Sequence, residues 1–272
     1  MLRHPAWLLA PLVLLFVVAY LYPLIRMMAV SITGGELSES LDRLIGVPLY
    51  QQALLRTVRV SFIVAIATVA IAYPVAAFIA ARSERLRGLL LAVVFMTVFM
   101  SVVVRTYVWI TILRPRGILD AIAVAVGLPP LDGALFNNEW AVVIGMVNVL
   151  LPLAILPLYA AFRRLDPTLS QAAASLGANR ARQWARVVVP LTMSSAVASA
   201  VLVFLLSLGF FVTPAILGGP QALMIGTLIN NQIAANNIPF AGLISIGLLA
   251  ATVIVLLLLR FVLGRFRNVG LM

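Results

Sequence analysis

The side chains able to do chemistry in this chain are few, and their types exclude most reactions. Among 272 residues there is one histidine, His4, and neither a cysteine nor a lysine. A Ser/His/Asp relay, a thiol nucleophile, a Schiff-base lysine, a His/Cys metal centre and the lysine of a phosphate-cradling loop are therefore all wanting. His4 sits in the N-terminal tail and reads as a surface residue. Polar groups inside apolar runs are a different matter. Arg105, followed by Tyr107 and Trp109, and Asn148 both lie in such runs. A charge or amide surrounded by hydrocarbon must be paired or must line a path. Arg105 falls about 17 residues from the cytoplasmic end of its run, roughly 25 Å along a helix. Snorkelling to the outer interface or structural pairing therefore competes with a gating role. Tyr107, Asn148, Phe210, Phe211 and Asn230 are the candidate path-lining residues. Arg105, Trp109 and Pro214 are candidates for a gate or for structure. This set suits the passage of a solute rather than the making of a bond.

A second polar stretch, Ser170 to Leu191 (SQAAASLGANRARQWARVVVPL), stands apart by its spacing. Ala172, Ala173 and Ala174 let another surface approach closely. Gly177 permits a turn with positive φ. Arg180, Arg182 and Arg186 follow, and Pro190 opens the next apolar run, where proline is tolerated in the first turn of a helix. The pattern predicts a short helix, a glycine turn and a second helix at the cytoplasmic surface.

Composition sets the frame for both. The chain is 64% hydrophobic and only 10% charged, with a formal net charge of +11. That balance belongs to a polytopic, all-α membrane protein. Six apolar runs are long enough to span a bilayer as helices: about 7–24, 60–80, 88–113, 140–162, 191–212 and 240–263. Together they make one transmembrane domain over 1–272, with 163–190 as a cytoplasmic loop between the fourth and fifth. A cleaved signal peptide is the rival reading of the first run, but that run ends in Tyr20, Tyr22 and Pro23 instead of a small-residue cleavage site. Every basic residue but the histidine is arginine, and their distribution orients the spans. The N-terminal tail, the second-to-third loop, the central loop and the C-terminus carry one, three, five and three arginines. The opposite loops carry six of the eight acids, Glu36, Glu39, Asp42, Asp120, Asp132 and Glu139. The positive-inside rule then puts both termini and the central loop in the cytoplasm. The same rule accounts for the positive charge without nucleic acid.

The central stretch resembles the cytoplasmic loop of bacterial ABC importer permeases. That signature is Glu-Ala-Ala, three residues, Gly, nine residues, Ile-x-Leu-Pro. Here it stands as Gln171-Ala172-Ala173, Gly177, then Val187-x-Val189-Pro190. Gln171 replaces the glutamate, so any ion pair made there becomes a neutral hydrogen bond. The run Phe211 to Pro220, FVTPAILGGP, is similar to one in the polyamine branch of the family, with Ile216 for a leucine. The chain thus resembles the first permease subunit of the spermidine/putrescine importer group. The resemblance implies an inner-membrane permease paired with a second permease, two cytoplasmic ATPases and a periplasmic or lipid-anchored binding protein. ATP and magnesium would sit on the ATPases, and this chain would carry no catalytic residue and no metal. Gln171, Ala172, Ala173, Gly177, Val187 and Pro190 would couple the chain to its motor.

Substrate is less legible. A polycation calls for carboxylates or aromatic faces, yet none of the eight acids lies in an expected span. An opine, an amino-acid-like solute, iron, thiamine or an anion fits the same architecture. An ion-coupled secondary transporter or channel is the other class. It usually shows intramembrane acids or an inverted repeat, and neither is visible here.

Overall fold

The computed structural model describes residues 10–22, 25–27, 29 and 37–269. His4, Glu36 and part of the first expected span lie outside them. Among the described residues every regular element is a helix. In chain order, α1 (Ala10–Phe16) runs into a π turn at Val17–Leu21, and α2 is Leu37–Gly46. Then come α3 (Pro48–Ala80), α4 (Glu84–Phe99), α5 (Val102–Leu113) and α6 (Ile118–Ala125). Next are α7 (Glu139–Arg164), α8 (Pro167–Ser175) and α9 (Arg180–Gln183). A second π turn, Trp184–Val188, leads into α10 (Val189–Leu208). The series ends with α11 (Val212–Leu217), α12 (Ile225–Ala234) and α13 (Ile238–Val269).

Among the described residues, four stretches are long and apolar enough to cross a membrane singly: Pro48–Ala80, Glu139–Arg164, Arg180–Leu208 and Ile238–Phe261. The expected third span, 88–113, is not one rod. It is two helices, α4 and α5, bent by 97° at Met100 and Ser101. Neither proline nor glycine marks the break. The β-branched residues Thr97, Val98 and Val102 to Val104 flank it, and Thr97 spends its hydroxyl on the Val94 carbonyl at 2.6 Å, competing with the ladder. Two other boundaries also shift. Helix α3 starts at Pro48, not at Val60, because Tyr50 to Arg59 offers no breaker. The fifth span is helical from Arg180 and stops at Leu208 with Gly209 as its cap. Pro214 lies beyond that end, in the first turn of α11.

The chain divides into two compact units, one of Leu55–Met224 and one of Met1–Leu54 with Ile225–Met272. In the first, α7 is the core helix. Two thirds (67%) of its most apolar window is buried, against 33% or less in the other single spans. Asn138 caps it by accepting the Ala141 N–H at 3.0 Å, and Glu139 and Arg163/Arg164 complement its dipole at the two ends. Met146, Leu150 and Leu158 are fully buried along it. α10 packs on α7 through a face that includes the buried Ala196, Val203 and Phe204, while α5 and α11 also lie against α7. In the second unit, α2 and α12 pack on α13, and the Tyr50 ring meets Phe240 edge-on at 5.2 Å.

Gly145 is the seat on which α11 rests. A Cβ there would stand 2.7 Å from both the Leu217 and Thr213 methyl groups. Gly145→Val should therefore push α11 off α7 and destabilise the protein by about 1–3 kcal/mol. Thermal unfolding in detergent checks this; Gly247→Val, where a Cβ meets nothing, is the control.

Candidate functional site

Two places in the Leu55–Met224 unit gather the residues singled out from sequence. The first is the loop 163–190. Asp166 caps α8 by accepting the Thr168 N–H at 2.9 Å, and Pro167 occupies its first turn. That backbone bond, reinforced by the Thr168 side chain, holds the Asp166 carboxyl below the usual carboxylate range. At the other end Gly177 has φ +79°, its N–H reaches the Ala174 carbonyl at 2.9 Å, and the Ala178 N–H reaches the Ala173 carbonyl at 3.0 Å. This is the Schellman arrangement, with glycine at the left-handed position. Asn179 then caps α9 through the Arg182 N–H. Gln171 and Ala172 are exposed on α8 and Ala173 is half-buried.

The structure adds a residue the sequence reading passed over. Leu176, directly before the glycine, is 88% exposed in a polar loop. An apolar side chain beside a glycine turn was its only sequence mark. It stands at the C-cap of α8, beside the exposed Gln171 and Ala172. An open hollow of about 570 Å³, lined by Pro157, Ala161, Arg164, Leu169, Leu191 and Ser195, lies among α7, α8 and α10. It leaves α8 room to shift.

Val187 and Pro190 mark the junction with the membrane helix. Pro190 cannot donate to the Arg186 carbonyl, and its ring would crowd it. The chain answers by widening its turn: the Val189 N–H bonds the Trp184 carbonyl five residues back, and Val187 lies inside this π turn.

The second place is the break between α4 and α5. Arg105 donates to the Met100 carbonyl at 3.3 Å and to the Val149 carbonyl of α7 at 3.4 Å. Its guanidinium therefore serves the Met100 carbonyl at the bend and adds a second donor to the Val149 carbonyl inside α7. The neighbouring Thr106 shares a buried hydroxyl contact of 3.2 Å with Thr213 of α11. Asn148, next to Val149, is exposed, so it does not act as glue between helices of this chain. Tyr107 is 58% and Phe211 42% exposed, which leaves aromatic surface uncovered on α5 and at the start of α11. Phe210 and Trp109 are half-buried and Pro214 is buried. Asn230 is exposed on α12, in the other unit.

Two of the acids expected in the outer loops, Asp120 and Glu139, have partners of their own. Asp120 is buried and accepts N–H groups from Arg116 at 2.7 Å and Leu131 at 2.9 Å, which shapes the 114–131 loop. Glu139 pairs with Arg59 at 2.5 Å and Arg56 at 3.9 Å, and Arg56 also reaches the Leu223 carbonyl. This clamp ties α3, α7 and the segment after α11. Sequence reasoning missed it because its members stand far apart in the chain. Among the described residues no His/Cys/Asp/Glu group could hold a metal.

Comparison with known proteins bears on both places. Residues 72–269 match the family described as "Binding-protein-dependent transport system inner membrane component". The spermidine/putrescine transport system permease protein PotB of Haemophilus influenzae is 36% identical over 202 residues, which cover 74% of this chain and 71% of that protein. PotB of Salmonella typhimurium is 32% identical over 185 residues, 68% of this chain and 64% of that one. The chain thus spans a little under two thirds of the Salmonella protein. Among solved structures, a bacterial alginate ABC transporter in complex with an alginate pentasaccharide-bound periplasmic protein has a chain of similar fold. Its TM-score is 0.71 with 17% identity, covering 96% of this chain and 95% of that one.

The Arg105 geometry predicts a stability effect. Arg105→Ala strands the Met100 carbonyl and should cost about 1–3 kcal/mol, with Arg105→Lys falling between. Thermal unfolding in lipid nanodiscs reads it. Unchanged stability with altered solute passage would instead place the arginine in the path.

Proposed function

The chain belongs to the family of binding-protein-dependent transport system inner membrane components, and from that premise we propose that it is one permease subunit of an ATP-driven importer that moves a polyamine such as spermidine or putrescine across the inner membrane. The observation that carries this reading is the loop 163–190: a capped helix, a glycine turn at positive φ and a bare leucine, at the family's spacing. A secondary transporter has no motor to meet and no need of such a surface.

The chain contributes no bond-making chemistry. Its partners are a second permease, which completes the path, two cytoplasmic ATPases that hold ATP and magnesium, and a periplasmic or lipid-anchored binding protein. Leu176 and the small face of α8 at Gln171 to Ala173 form the contact with one ATPase. Closure of the ATPases displaces α8, and the helices continuous with its two flanks, α7 and α10, rock with it. Transport is then alternating access by rigid-body motion. Arginine placement supports cytoplasmic termini and a cytoplasmic loop.

The polyamine assignment draws on the PotB relatives and on the exposed rings. Tyr107 and Phe211 offer aromatic faces to an ammonium group, and such contacts are worth about 0.5–2 kcal/mol each. Arg105 keeps its charge while its guanidinium is turned onto backbone carbonyls, so the path of a cation runs clear of it. Carboxylates for the polycation come from the partner permease and the binding protein, because Asp120 and Glu139 are already engaged.

The deciding experiment is ATPase activity of the assembled transporter in lipid, with its binding protein empty or loaded with spermidine. Stimulation by the spermidine-loaded protein alone is expected. Stimulation only with another solute would discard the polyamine and keep the importer, and an absent ATPase would discard both. Gly177→Val tests the loop separately. A β-branched residue is strained at φ +79°, so this variant should insert normally yet lose about tenfold or more of its uptake, as expected from a cost above about 1.4 kcal/mol at a left-handed glycine. Uptake at the parent rate would remove the loop from the coupling pathway.

A further inference from the structure

Three aromatic rings from three separate helices meet where the cytoplasmic loop joins the membrane helices. Tyr73 of α3 lies 5.1 Å from Phe162 and 6.3 Å from Trp184, both edge-on, and Phe162 lies 6.1 Å from Trp184. Their places in the chain give the cluster its interest. Phe162 is at the end of α7, just before the loop, and Trp184 opens the π turn just after α9. The entry and the exit of the coupling loop thus rest against one ring of a third helix.

The Tyr73 hydroxyl adds a polar tie to the same point. It lies 2.6 Å from the hydroxyl of Thr192, which is fully buried on α10. The Thr192 hydroxyl has a single proton and places it on the Val188 carbonyl at 2.8 Å. Tyr73 must therefore be the donor to Thr192. A continuous relay results, from the α3 phenol through Thr192 to the last carbonyl of the π turn. Tyr73 is also followed by Pro74, which frees a carbonyl in α3 and softens that helix beside the joint. An aromatic residue that merely anchors a helix at the interface turns its polar end to water or head groups. Here the polar end turns inward, to a buried threonine.

We propose that Tyr73 is a positioning residue for energy coupling: with Phe162, Trp184 and Thr192 it forms the joint through which displacement of the α8 loop is passed to α3. The proposal rests on the importer reading above and names the contact by which its lever reaches a helix that is not continuous with the loop. α7 and α10 are driven directly, as they are the loop's own flanks. α3 has no covalent route to the loop except through α4 to α7, and α4 is bent from α5 by 97°. Motion of α3 in step with the others therefore requires a side-chain tie, and this is the one at the cytoplasmic end. With the phenol removed, the loop slips past α3, and ATP is hydrolysed without full reorientation of the path.

The test uses the assembled transporter in proteoliposomes and two variants. Tyr73→Phe deletes one oxygen and leaves the ring cluster in place. ATP hydrolysed per solute taken up should rise about three- to tenfold, as expected from the loss of one buried hydrogen bond, while assembly and maximal ATPase rate stay near the parent. Trp184→Leu should raise the same ratio, and Trp184→Phe should restore most of the coupling. A second readout does not depend on the solute. The chain has no cysteine, so spin labels can be placed at Arg82→Cys, after α3, and Arg182→Cys, on α9. In the parent the label separation should stay in one narrow distribution with and without ATP. In Tyr73→Phe it should broaden or split when ATP is added. A parent-like ratio and a parent-like distribution in Tyr73→Phe would overturn the joint. Failure of spermidine-loaded binding protein to stimulate even the parent would overturn only the solute assignment, and the label pair would still decide the joint.

Discussion

Hydrocarbon offers no hydrogen bonds, so a carbonyl that leaves the helical ladder inside a membrane must be given a donor by the protein itself. Much of this chain's local structure follows from that demand. The α4–α5 bend can exist because Arg105 supplies donors to Met100 and to Val149, and because Ser101 still accepts the Arg105 N–H. At the mouth of α10 the same demand is met in another way. Pro190 removes a donor, and the ladder shifts by one residue into a π turn whose last carbonyl is held by Thr192. At these two places a named side chain or a change of hydrogen-bond register covers the exposed backbone.

Those sharp features are also where elements change direction or meet partners. The bend exposes Tyr107 on α5, and the next break, at Gly209 to Phe211, lays α11 across Gly145. In the loop 163–190, α8 is held firmly at its ends, by Asp166 and Gly177, and loosely along its flank, where the hollow lies. An element fixed at its ends and free along its side moves as a unit when pushed. This division suits a chain that transmits force and leaves chemistry to its partners. At the opposite end of α7 the Arg59–Glu139–Arg56 clamp joins three segments at a point where water can screen it, so it is the easier tie to open.

The loop and the FVTPAILGGP run were legible in the sequence because their information is local. Glycine, proline and small residues at fixed intervals dictate backbone geometry with little help from the rest of the fold, and the Gly177 turn and the first-turn Pro190 stand as their types require. Four of the six expected spans were legible for the same reason, since apolar length is a local quantity. The α4–α5 bend was not. It lacks a breaker residue, and what permits it is an arginine reaching a carbonyl on α7. Asn148 was read as a buried amide because apolar neighbours in sequence suggest burial, yet the side chain lies on the outer face of α7. Glu139 with Arg59, and Tyr73 with Thr192, depend on pairings across 80 and 119 positions. No spacing rule reaches that far in a single sequence.

The π turn at Trp184–Val188 has a consequence for how such a chain can vary. A π turn carries one residue more than the α-helix would use, and each residue in an α-helix advances the side-chain direction by about 100°. The extra residue is thus an angular offset, stored in the backbone, between the loop's arginine-bearing face and the face of α10 that packs on α7. A single-residue deletion between 184 and 188 would restore a regular helix and keep every flanking side chain, yet turn Thr192 and the Ala196–Phe204 face away from their partners. A single-residue insertion would overshoot in the opposite sense. Substitutions along this turn are therefore expected to accumulate far more readily than changes in its length, so that its residue count is a stricter heritable property than its composition.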